Sequence, residues 1–334
     1  MKLNILVTGG LGYIGSHTVL NLLLNTNHNI VVIDNLINSN IKVLEMLESL
    51  SKKKITFYQD DVGNYAKILE ILKSENINSV IHFAAVKSVS DSILHPDFYY
   101  HNNVVALMAL LNAMRQCDIN KMIFSSSATV YSPKNKFPVK EDSLLGFLNP
   151  YGQTKLIGED LLIREHQQSG LKIIILRYFN PIGNEATGHL GDHLTSQSTN
   201  IMPMIFNALK KKEPFFIYGG DYPTKDGSPV RDYIHVCDLA EAHRLAADSL
   251  EAQTGYLIFN VGLGSGVTVL ELISKFNEVN QLKIPIKFEN RRDGDLSICF
   301  ANTDKIKSQM AWKPKYDLTD MCRDAFSFYR KTIN

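Results

Sequence analysis

Residues 3–17 read LNILVTGGLGYIGSH, a short apolar run that passes directly into a glycine-rich turn. The run at 3–7 is almost wholly apolar, which predicts a strand covered on both faces. Gly9, Gly12 and Gly15 follow at intervals of three, and the pattern of 16–25 predicts a helix. Strand, glycine turn and helix in this order form the repeating unit of an open parallel sheet.

The same alternation continues through the first half of the chain. Further apolar runs predict strands at 30–33, 55–58, 80–83, 122–124 and 172–177, and helical patterns lie at 41–50, 65–74, 98–116 and 151–168. Alternation of this kind favours right-handed crossovers between parallel strands. The expected fold class is α/β, a doubly wound parallel sheet of the Rossmann type with a smaller mixed α/β C-terminal domain.

The rhythm changes after about residue 180. Residues 181–199 are polar and glycine-containing without a clear period, which predicts a long loop of the functional kind. Helical patterns resume at 202–211, 238–249, 269–279 and 318–329. We therefore expect one domain at 1–180 and a second at 181–334, with some later segments returning to the first.

Composition excludes several classes of function. The 334 residues carry a formal net charge of +1, so neither nucleic acid nor a membrane surface is an expected partner. Four scattered cysteines without a Cys-x-x-Cys pair argue against a zinc knuckle or a redox motif. The apolar start is too short for a signal peptide, and no apolar run reaches the roughly 20 residues of a membrane span. Reduced thiols and a cytoplasmic location are the expectation.

The glycine turn predicts a dinucleotide site. Glycines let backbone N–H groups approach a pyrophosphate, and the following helix N-terminus faces its charge. Asp34 lies just after the second strand, about 20 residues beyond the glycines, where a carboxylate binds the adenosine ribose. It would repel the extra phosphate of NADP, which favours NAD. Asp61, which Val62 follows, is a candidate to bind the adenine amine, and Asp60 is an equally good candidate from the sequence. The alternative for the whole segment is a glycine-rich turn that binds no ligand.

Tyr151 and Lys155 form the predicted catalytic pair. They are four residues apart, after Pro150, and so share one face at the start of a helix. Tyrosine ordinarily titrates near ~10, so a base at pH ~7 needs about 3 units, or roughly 4 kcal/mol, of phenolate stabilisation. Ser127, beyond the strand 122–124, can relay the substrate proton at the sheet edge where ligands bind. The alternative is that Tyr151 and Lys155 form a surface pair and that Ser127 caps the end of its strand.

These residues resemble the extended short-chain dehydrogenases/reductases, and within them the UDP-glucose (UDP-galactose) 4-epimerase family. The similarity runs from about residue 2 to about residue 316. Besides the glycine turn and 149–155, its markers are the segments 34–36, 83–87, 102–104, 124–131, 177–183, 200–203, 221–226, 230–236 and 291–296. The resemblance implies that NAD accepts and returns a hydride at C4 of the sugar while Tyr151 removes the hydroxyl proton.

The resemblance also implies binding roles. It implies that the cofactor is bound by the glycines together with Asp34, Asp61, Val62, Tyr151 and Lys155. It adds further cofactor contacts from Tyr13, Ile14, Asn35, Phe83, Ala84, Lys87, Asn102, Ser125 and Tyr178. It implies that the UDP-sugar is held by Lys87, Ser127, Tyr151, Phe179, Asn180, Asn200, Tyr218, Arg231, Arg292, Asp295 and Cys299. Two arginines suit a diphosphate in kind, although from the residues alone Arg231 and Arg292 could equally form surface salt bridges.

Cys299 departs from the family pattern, in which many bacterial members carry a tyrosine. A small side chain beside the sugar should leave room for an N-acetyl group at C2. UDP-GlcNAc and UDP-GalNAc are therefore expected as further substrates. The alternative is that Cys299 is simply a small buried residue.

Two other features lead to predictions. His189, Asp192 and His193 could suggest a metal, but an exposed loop cluster is the preferred interpretation, and no metal is expected. The segment 103–114 is apolar on nearly all sides, whereas packing on a sheet requires one stripe. Its second face is expected to meet a second subunit, giving a homodimer, or the C-terminal domain.

Three rivals share parts of this pattern. A sugar-nucleotide 4,6-dehydratase needs an acidic pair beside the active-site serine, but Ser127 is followed by Ala128-Thr129-Val130. A uronate epimerase would share the fold and the cofactor. A regulator that senses NAD without catalysis usually lacks the tyrosine, so the retained Tyr151 argues against it.

Overall fold

The computed structural model describes residues 2–192, 200–292 and 294–333. They fold into two compact units. The first unit takes its residues from Met1–Ser132, Leu145–Arg177 and Ala240–Phe259, and the second from Pro133–Leu144, Tyr178–Leu239 and Asn260–Asn334.

The strands and helices of the described residues are numbered in chain order. The strands are β1 (Asn4–Thr8), β2 (Asn29–Ile33), β3 (Thr56–Tyr58), β4 (Ser79–His82), β5 (Lys121–Ser127), β6 (Lys172–Tyr178), β7 (Asn180–Ile182), β8 (Phe215–Tyr218), β9 (Val230–Arg231), β10 (Tyr233–His235), β11 (Tyr256–Val261), β12 (Val267–Thr268), β13 (Ile286–Glu289) and β14 (Ile298–Cys299). The helices are α1 (Tyr13–Asn25), α2 (Lys42–Ser51), α3 (Tyr65–Ser74), α4 (Val89–Leu94), α5 (Pro96–Tyr100), α6 (Ala106–Gln116), α7 (Pro150–Ser169), α8 (Ile201–Lys211), α9 (Val236–Ser249), α10 (Val269–Asn280), α11 (Asp304–Gln309) and α12 (Leu318–Ile333).

The first unit is built on a seven-stranded sheet of order β3-β2-β1-β4-β5-β6-β11. The neighbours β1–β2, β2–β3, β1–β4 and β4–β5 run parallel. The order reverses between β1 and β4, and open α/β sheets bind ligands beyond the carboxyl ends of the strands at such a point. The doubly wound fold and its six predicted strands are confirmed, whereas β11 was not predicted.

The predicted helix 98–116 is divided in the structure. A π-helical turn, His101–Val105, separates α5 from α6. Its buried Asn103 donates to the Val86 carbonyl at 3.0 Å and to the Thr154 hydroxyl at 3.0 Å. Single π-helical turns inside α-helices are frequent at functional sites, and periodicity does not reveal them.

The second unit contains small sheets, β10–β7, β12-β9-β14 and β13–β8. Its core includes Phe206, Phe276 and Tyr329, whose rings pack against one another. The predicted loop 181–199 was wrong at its start, because Pro181 and Ile182 pair with β10 in β7; three residues are too few to show alternation. Residues 193–199 lie outside the described residues. Among the described helices, none is long and apolar enough to cross a membrane.

Candidate active site

The glycine turn between β1 and α1 is tightly folded. The Gly9 N–H donates to the Ile33 carbonyl at 2.8 Å, and Gly9 has a φ of 66°, in the left-handed region. A Cβ on Gly15 would lie 2.3 Å from the Gly9 oxygen, so the turn closes on the helix at that point. A Cβ on Gly12 would meet the Gly9 oxygen at 3.3 Å and nothing else within 4 Å. The turn is therefore open at Gly12, where a diphosphate could approach.

Asp34 is buried at the end of β2, and its carboxylate accepts hydrogen bonds from the glycine turn and from the residues that follow β2. Its Oδ2 accepts from the Leu11 N–H at 3.0 Å, and its Oδ1 accepts from the Leu36 N–H at 2.9 Å and the Ser39 hydroxyl at 2.7 Å. A carboxylate has about four lone-pair positions, so capacity for ribose hydroxyls is left. The turn-residue interpretation and the ribose prediction are compatible with this geometry.

The predicted adenine end is held by polar side chains. Asn35 Nδ2 donates to Asp61 Oδ2 at 2.7 Å, whereas Asp60 Oδ1 accepts from Asn64 Nδ2 at 3.1 Å. Val62 beside them is buried. The structure thus places Asp61, rather than Asp60, in contact with the residue after Asp34.

The residues after β4 lie beside the glycine turn. The Phe83 N–H donates to the Thr8 carbonyl at 3.0 Å, and the Ala84 N–H to the Thr8 hydroxyl at 3.3 Å. Lys87 Nζ lies 5.9 Å from the centre of the Tyr13 ring, in the first turn of α1. Ile14 follows in the same turn, while Asn102 donates to the Phe98 carbonyl at 2.8 Å.

Tyr151 lies at the start of α7, as predicted. Asn149 caps this helix by accepting from the Gly152 N–H at 2.8 Å. The Tyr151 hydroxyl is hydrogen-bonded to Ser127. The Ser127 oxygen also accepts from the Thr129 N–H at 3.2 Å and from the Thr129 hydroxyl at 3.0 Å. Burial raises the pKa of Tyr151 to about 12, while the Ser127 hydrogen bond acts in the opposite direction.

Lys155 is buried one turn further along α7. Its Nζ donates to the Ser125 carbonyl at 2.7 Å and lies 5.1 Å from the centre of the Phe124 ring. Burial lowers the pKa of Lys155 to about 8, and the Glu159 carboxylate opposes this shift. The structure thus brings the predicted set of Ser127, Tyr151 and Lys155 together at the carboxyl end of β5.

Sequence reasoning missed three buried residues beneath this set. His82, at the end of β4, shares a hydrogen bond of 2.8 Å with the Thr8 hydroxyl, and burial lowers its pKa to about 3. Glu159 and Arg177 form an ion pair of 2.6 Å. Glu159 lies four residues after Lys155, as Lys155 lies four residues after Tyr151, and this spacing could have placed Glu159 on the catalytic face of the helix. Nothing in the sequence around His82 indicated its position beneath the site.

In the second unit, Arg231 and Cys299 face each other in the β9–β14 pair. Arg231 NH1 donates to the Leu296 carbonyl at 2.8 Å, and its NH2 lies 3.5 Å from Asp295 Oδ1. Burial raises the pKa of the Cys299 thiol to about 11, so it is a neutral, small side chain. Three predicted substrate residues are thus neighbours.

A second arginine stacks on an aromatic ring in the same unit. The Arg292 guanidinium lies 3.7 Å from the centre of the Tyr218 ring, and its NH2 lies 3.4 Å from Met204 Sδ. Neither of these contacts is with a carboxylate. Packing on the Tyr218 ring therefore fixes the guanidinium plane of Arg292, and a stacked arginine still presents N–H donors to phosphate.

The other predicted substrate residues of the second unit have defined places. The Phe179 N–H donates to the Val261 carbonyl at 3.2 Å, and the Asn180 N–H to the Asp232 carbonyl at 2.9 Å. Tyr178, predicted as a cofactor contact, is buried at the end of β6. Asn200, the N-cap of α8, donates from Nδ2 to Asp192 Oδ2 at 2.9 Å.

Of the two loop histidines, only His189 lies within the described residues. His189 Nδ1 is 2.8 Å from the Thr187 hydroxyl, and His193 lies outside the described residues. Within 2–192, 200–292 and 294–333, no three His, Cys, Asp or Glu side chains are grouped to hold a metal ion.

The strand order, the glycine turn after β1 and the Tyr151–Lys155 pair beside Ser127 define the class as an extended short-chain dehydrogenase/reductase. The family model described as GDP-mannose 4,6 dehydratase matches residues 6–325. A UDP-glucose 4-epimerase of Bacillus subtilis is 42% identical over 332 residues, covering 99% of this chain and 98% of the relative. The chain therefore belongs to the UDP-glucose 4-epimerase family, and it is an enzyme of that kind, an NAD-dependent isomerase.

Solved structures give the same result. A UDP-glucose-4-epimerase from Stenotrophomonas maltophila, with bound NAD and formylated UDP-arabinopyranose, is 38% identical with a TM-score of 0.96, each chain being covered to 99%. The enzyme from Bifidobacterium longum, in complex with NAD+ and UDP, is 36% identical with a TM-score of 0.95 and the same coverage. Both similarities extend over nearly the whole of this chain.

Proposed function

We propose that this protein interconverts UDP-glucose and UDP-galactose as an NAD-dependent UDP-sugar 4-epimerase. The observation that carries the proposal is that Tyr151 beside Ser127, and Lys155 bonded to the Ser125 carbonyl, come together at the carboxyl end of β5. In this proposal the first unit binds NAD and the second unit binds the UDP-sugar. Family membership supports the assignment.

The residues of the first unit fit NAD. The glycine turn is open at Gly12, and the first turn of α1 carries no acidic residue to oppose a diphosphate. Asp34 would hold the adenosine ribose, and Asp61 with Asn35 would lie at the adenine end. When bound, NAD supplies the hydride acceptor for C4 of the sugar.

Tyr151 takes the proton of the C4 hydroxyl, with Ser127 as the relay. Because burial raises the pKa of Tyr151 to about 12, the protein alone does not provide a phenolate at neutral pH. Lys155, whose pKa is about 8, remains largely protonated at pH 7 and stabilises the phenolate. When NAD is bound, its positive nicotinamide ring would supply the remaining stabilisation.

The second unit anchors the nucleotide. Arg231 and Arg292 would bind the diphosphate, since guanidinium groups form paired hydrogen bonds with phosphate. Asp295 would bind the uridine ribose, and Asn180, Asn200 and Phe179 would complete the pocket. A firm hold on the UDP leaves the 4-keto sugar free to turn, so that the hydride returns to its opposite face.

The dehydratase alternative is not favoured, although the matching family model carries that description. Elimination of water requires an acid beside the serine. In the structure Thr129 occupies this place and donates to Ser127. Its neighbour Ala128 has no ionisable group.

The proposal is tested by product analysis after incubation of the purified protein with UDP-galactose and UDP-GalNAc, without added NAD. UDP-glucose is expected, since a cofactor regenerated in each cycle can stay bound. If UDP-galactose remains unchanged even after NAD is supplied, the epimerase proposal fails.

We further propose that UDP-GlcNAc and UDP-GalNAc are substrates. Cys299 is a small side chain opposite Arg231, at the edge of the proposed sugar pocket. A tyrosine at position 299 would fill the space that an N-acetyl group at C2 of the sugar needs, whereas Cys299 leaves that space open.

Replacing Cys299 with tyrosine should lower kcat/KM for UDP-GalNAc by roughly 10- to 100-fold, because a pocket contact of this kind is worth 1–3 kcal/mol. UDP-galactose turnover should change by a few-fold at most. Cys299→Ala is the matched control and should retain both activities. Equal losses for both sugars in Cys299→Tyr would contradict the proposed pocket.

We propose that the protein is a homodimer formed through the outer face of α4 to α6. Large apolar side chains are exposed there, with Leu94 at 73%, Val105 at 50% and Met108 at 46%. The opposite side of α6 carries Leu107 and Leu110, which are fully buried in the core of the first unit. A second copy of the chain is the proposed partner because it would cover this apolar face.

Val105→Glu should convert the dimer to a monomer in sedimentation velocity, since an unpaired carboxylate buried in an interface costs several kcal/mol. Leu24→Glu is the control, as Leu24 on α1 is 56% exposed, close to the 50% of Val105. A dimer that persists in Val105→Glu, or is lost in both variants, would argue against this face.

A cytoplasmic location is proposed from the cysteines. All four are described, and all are free thiols in the structure. Unpaired thiols persist where glutathione and thioredoxin keep them reduced.

A further inference from the structure

Helix α7 carries Tyr151, Lys155 and Glu159, one turn apart. Each meets one of three successive serines at the end of β5. The pairs are the Tyr151 hydroxyl with Ser127, Lys155 Nζ with the Ser125 carbonyl at 2.7 Å, and the Glu159 carboxylate with the Ser126 hydroxyl, which donates to it. Glu159 thus belongs to the same helix-to-strand contact as the two predicted catalytic residues.

The other side of Glu159 forms a bidentate ion pair. Arg177 on β6 donates from Nε to Oε1 at 3.0 Å and from NH2 to Oε2 at 2.6 Å, and its NH1 donates to the Tyr131 hydroxyl at 3.0 Å. Glu159 is 2% exposed and Arg177 is 1% exposed. Buried ion pairs often add no net stability compared with apolar packing, so its presence under the catalytic pair needs another explanation.

We propose that Glu159 is a positioning residue for the Tyr151–Lys155 pair. Its carboxylate fixes the register of α7 on β5 and holds a negative charge one turn from the Lys155 ammonium. The inference rests on the proposed epimerase function and extends it to a residue with no role among the predicted contacts.

The groups around Lys155 show why this charge matters. His82, facing it from β4, is neutral because burial holds its pKa near 3. Phe124 offers its ring and Ser125 its carbonyl from β5, neither carrying a full charge. Arg177, on β6, is positive and is neutralised by Glu159. The Glu159 carboxylate is the group that raises the pKa of Lys155 against the effect of burial.

Loss of this carboxylate has a defined direction. Lys155 would lose its proton at a lower pH, so the alkaline limb of activity would move down. On the acidic limb Lys155 remains protonated in both proteins, so this limb should not move up. The pH range of activity would narrow from its alkaline side.

Glu159→Gln tests this, since glutamine keeps the size and the hydrogen bond to Ser126. We expect the alkaline limb of kcat to move down by about 0.5–1 unit, and kcat at pH 7 to fall by about two-fold. The double variant Glu159→Gln/Arg177→Met removes the unpaired guanidinium and should recover thermal stability. Its alkaline limb should remain displaced, whereas a merely structural role predicts that the stability and the alkaline limb both recover.

Glu165→Gln is the matched control on the same helix. Glu165 pairs with Arg115, whose Nε lies 3.2 Å from Oε1. This variant should lose some stability without moving either pH limb. Wild-type pH limbs in an active Glu159→Gln protein would overturn the inference.

A second readout does not depend on turnover. NMR titration of the Lys155 side chain in the NAD-loaded protein, with Lys155→Met used for assignment, reports the pKa of Lys155 directly. It should be lower in Glu159→Gln than in the wild type, and equal values would overturn the inference. A wild-type protein without epimerase activity would instead refute the proposed function.

Discussion

Replacing Tyr151 with phenylalanine is expected to lower kcat by about 10³-fold or more, in line with the loss of a general base. The substitution removes the hydroxyl that is hydrogen-bonded to Ser127 and leaves the ring in place. NAD should remain bound, because the glycine turn and Asp34 are untouched. The measurement is steady-state turnover of UDP-galactose, with bound NAD quantified after the protein is denatured.

Tyr65→Phe is the control for this experiment. Tyr65 is 40% exposed on α3, and its hydroxyl bonds to Gln116 at the surface. Turnover should be unaffected. If Tyr151→Phe turns over at the wild-type rate, Tyr151 is not the base, whatever the remaining contacts suggest.

Gly15→Ala should abolish NAD retention and destabilise the protein. In a helix, alanine is ordinarily favoured over glycine by about 1 kcal/mol. Here the new Cβ would lie 2.3 Å from the Gly9 oxygen and 2.9 Å from the Gly10 Cα, both backbone atoms that cannot rotate away. Overpacking of this kind costs about 1–3 kcal/mol, so the clash outweighs the propensity. We expect a lower melting temperature and at least ~100-fold weaker NAD binding, the equivalent of about 2.7 kcal/mol.

Gly255→Ala separates the clash from the general effect of a methyl group. At Gly255, which has no left-handed φ, the nearest atom to an added Cβ is His166 Nε2 at 4.0 Å. That variant should bind NAD normally. Full NAD content and an unchanged melting temperature in Gly15→Ala would show that the turn is not as tight as the geometry indicates.

The features that sequence predicted are those encoded over a few neighbouring residues. The glycine turn joins adjacent elements, and Tyr151 and Lys155 share a face through helical spacing alone. Because β1, β2, β4, β5 and β6 are buried along most of their length, their apolar runs stand out. The strand-end position of Ser127 followed from the same logic.

The features it missed depend on partners far along the chain. Glu159 meets Arg177 across a helix and a strand, and charged residues in a helical pattern look solvated until the partner is known. β11 joins the sheet edge from residue 256 onward, long after the strand-helix rhythm has ended. The π-helical turn arises because Asn103 reaches Val86 and Thr154, a demand that periodicity does not record.

The most direct test of the account is the conversion of UDP-galactose deuterated at C4 by the purified protein, without added NAD. The product is analysed by mass spectrometry and NMR. The account predicts UDP-glucose that retains the deuterium at C4, since the hydride removed from one face returns to the other. Product carrying protium at C4, or no product even after NAD is supplied, would contradict it.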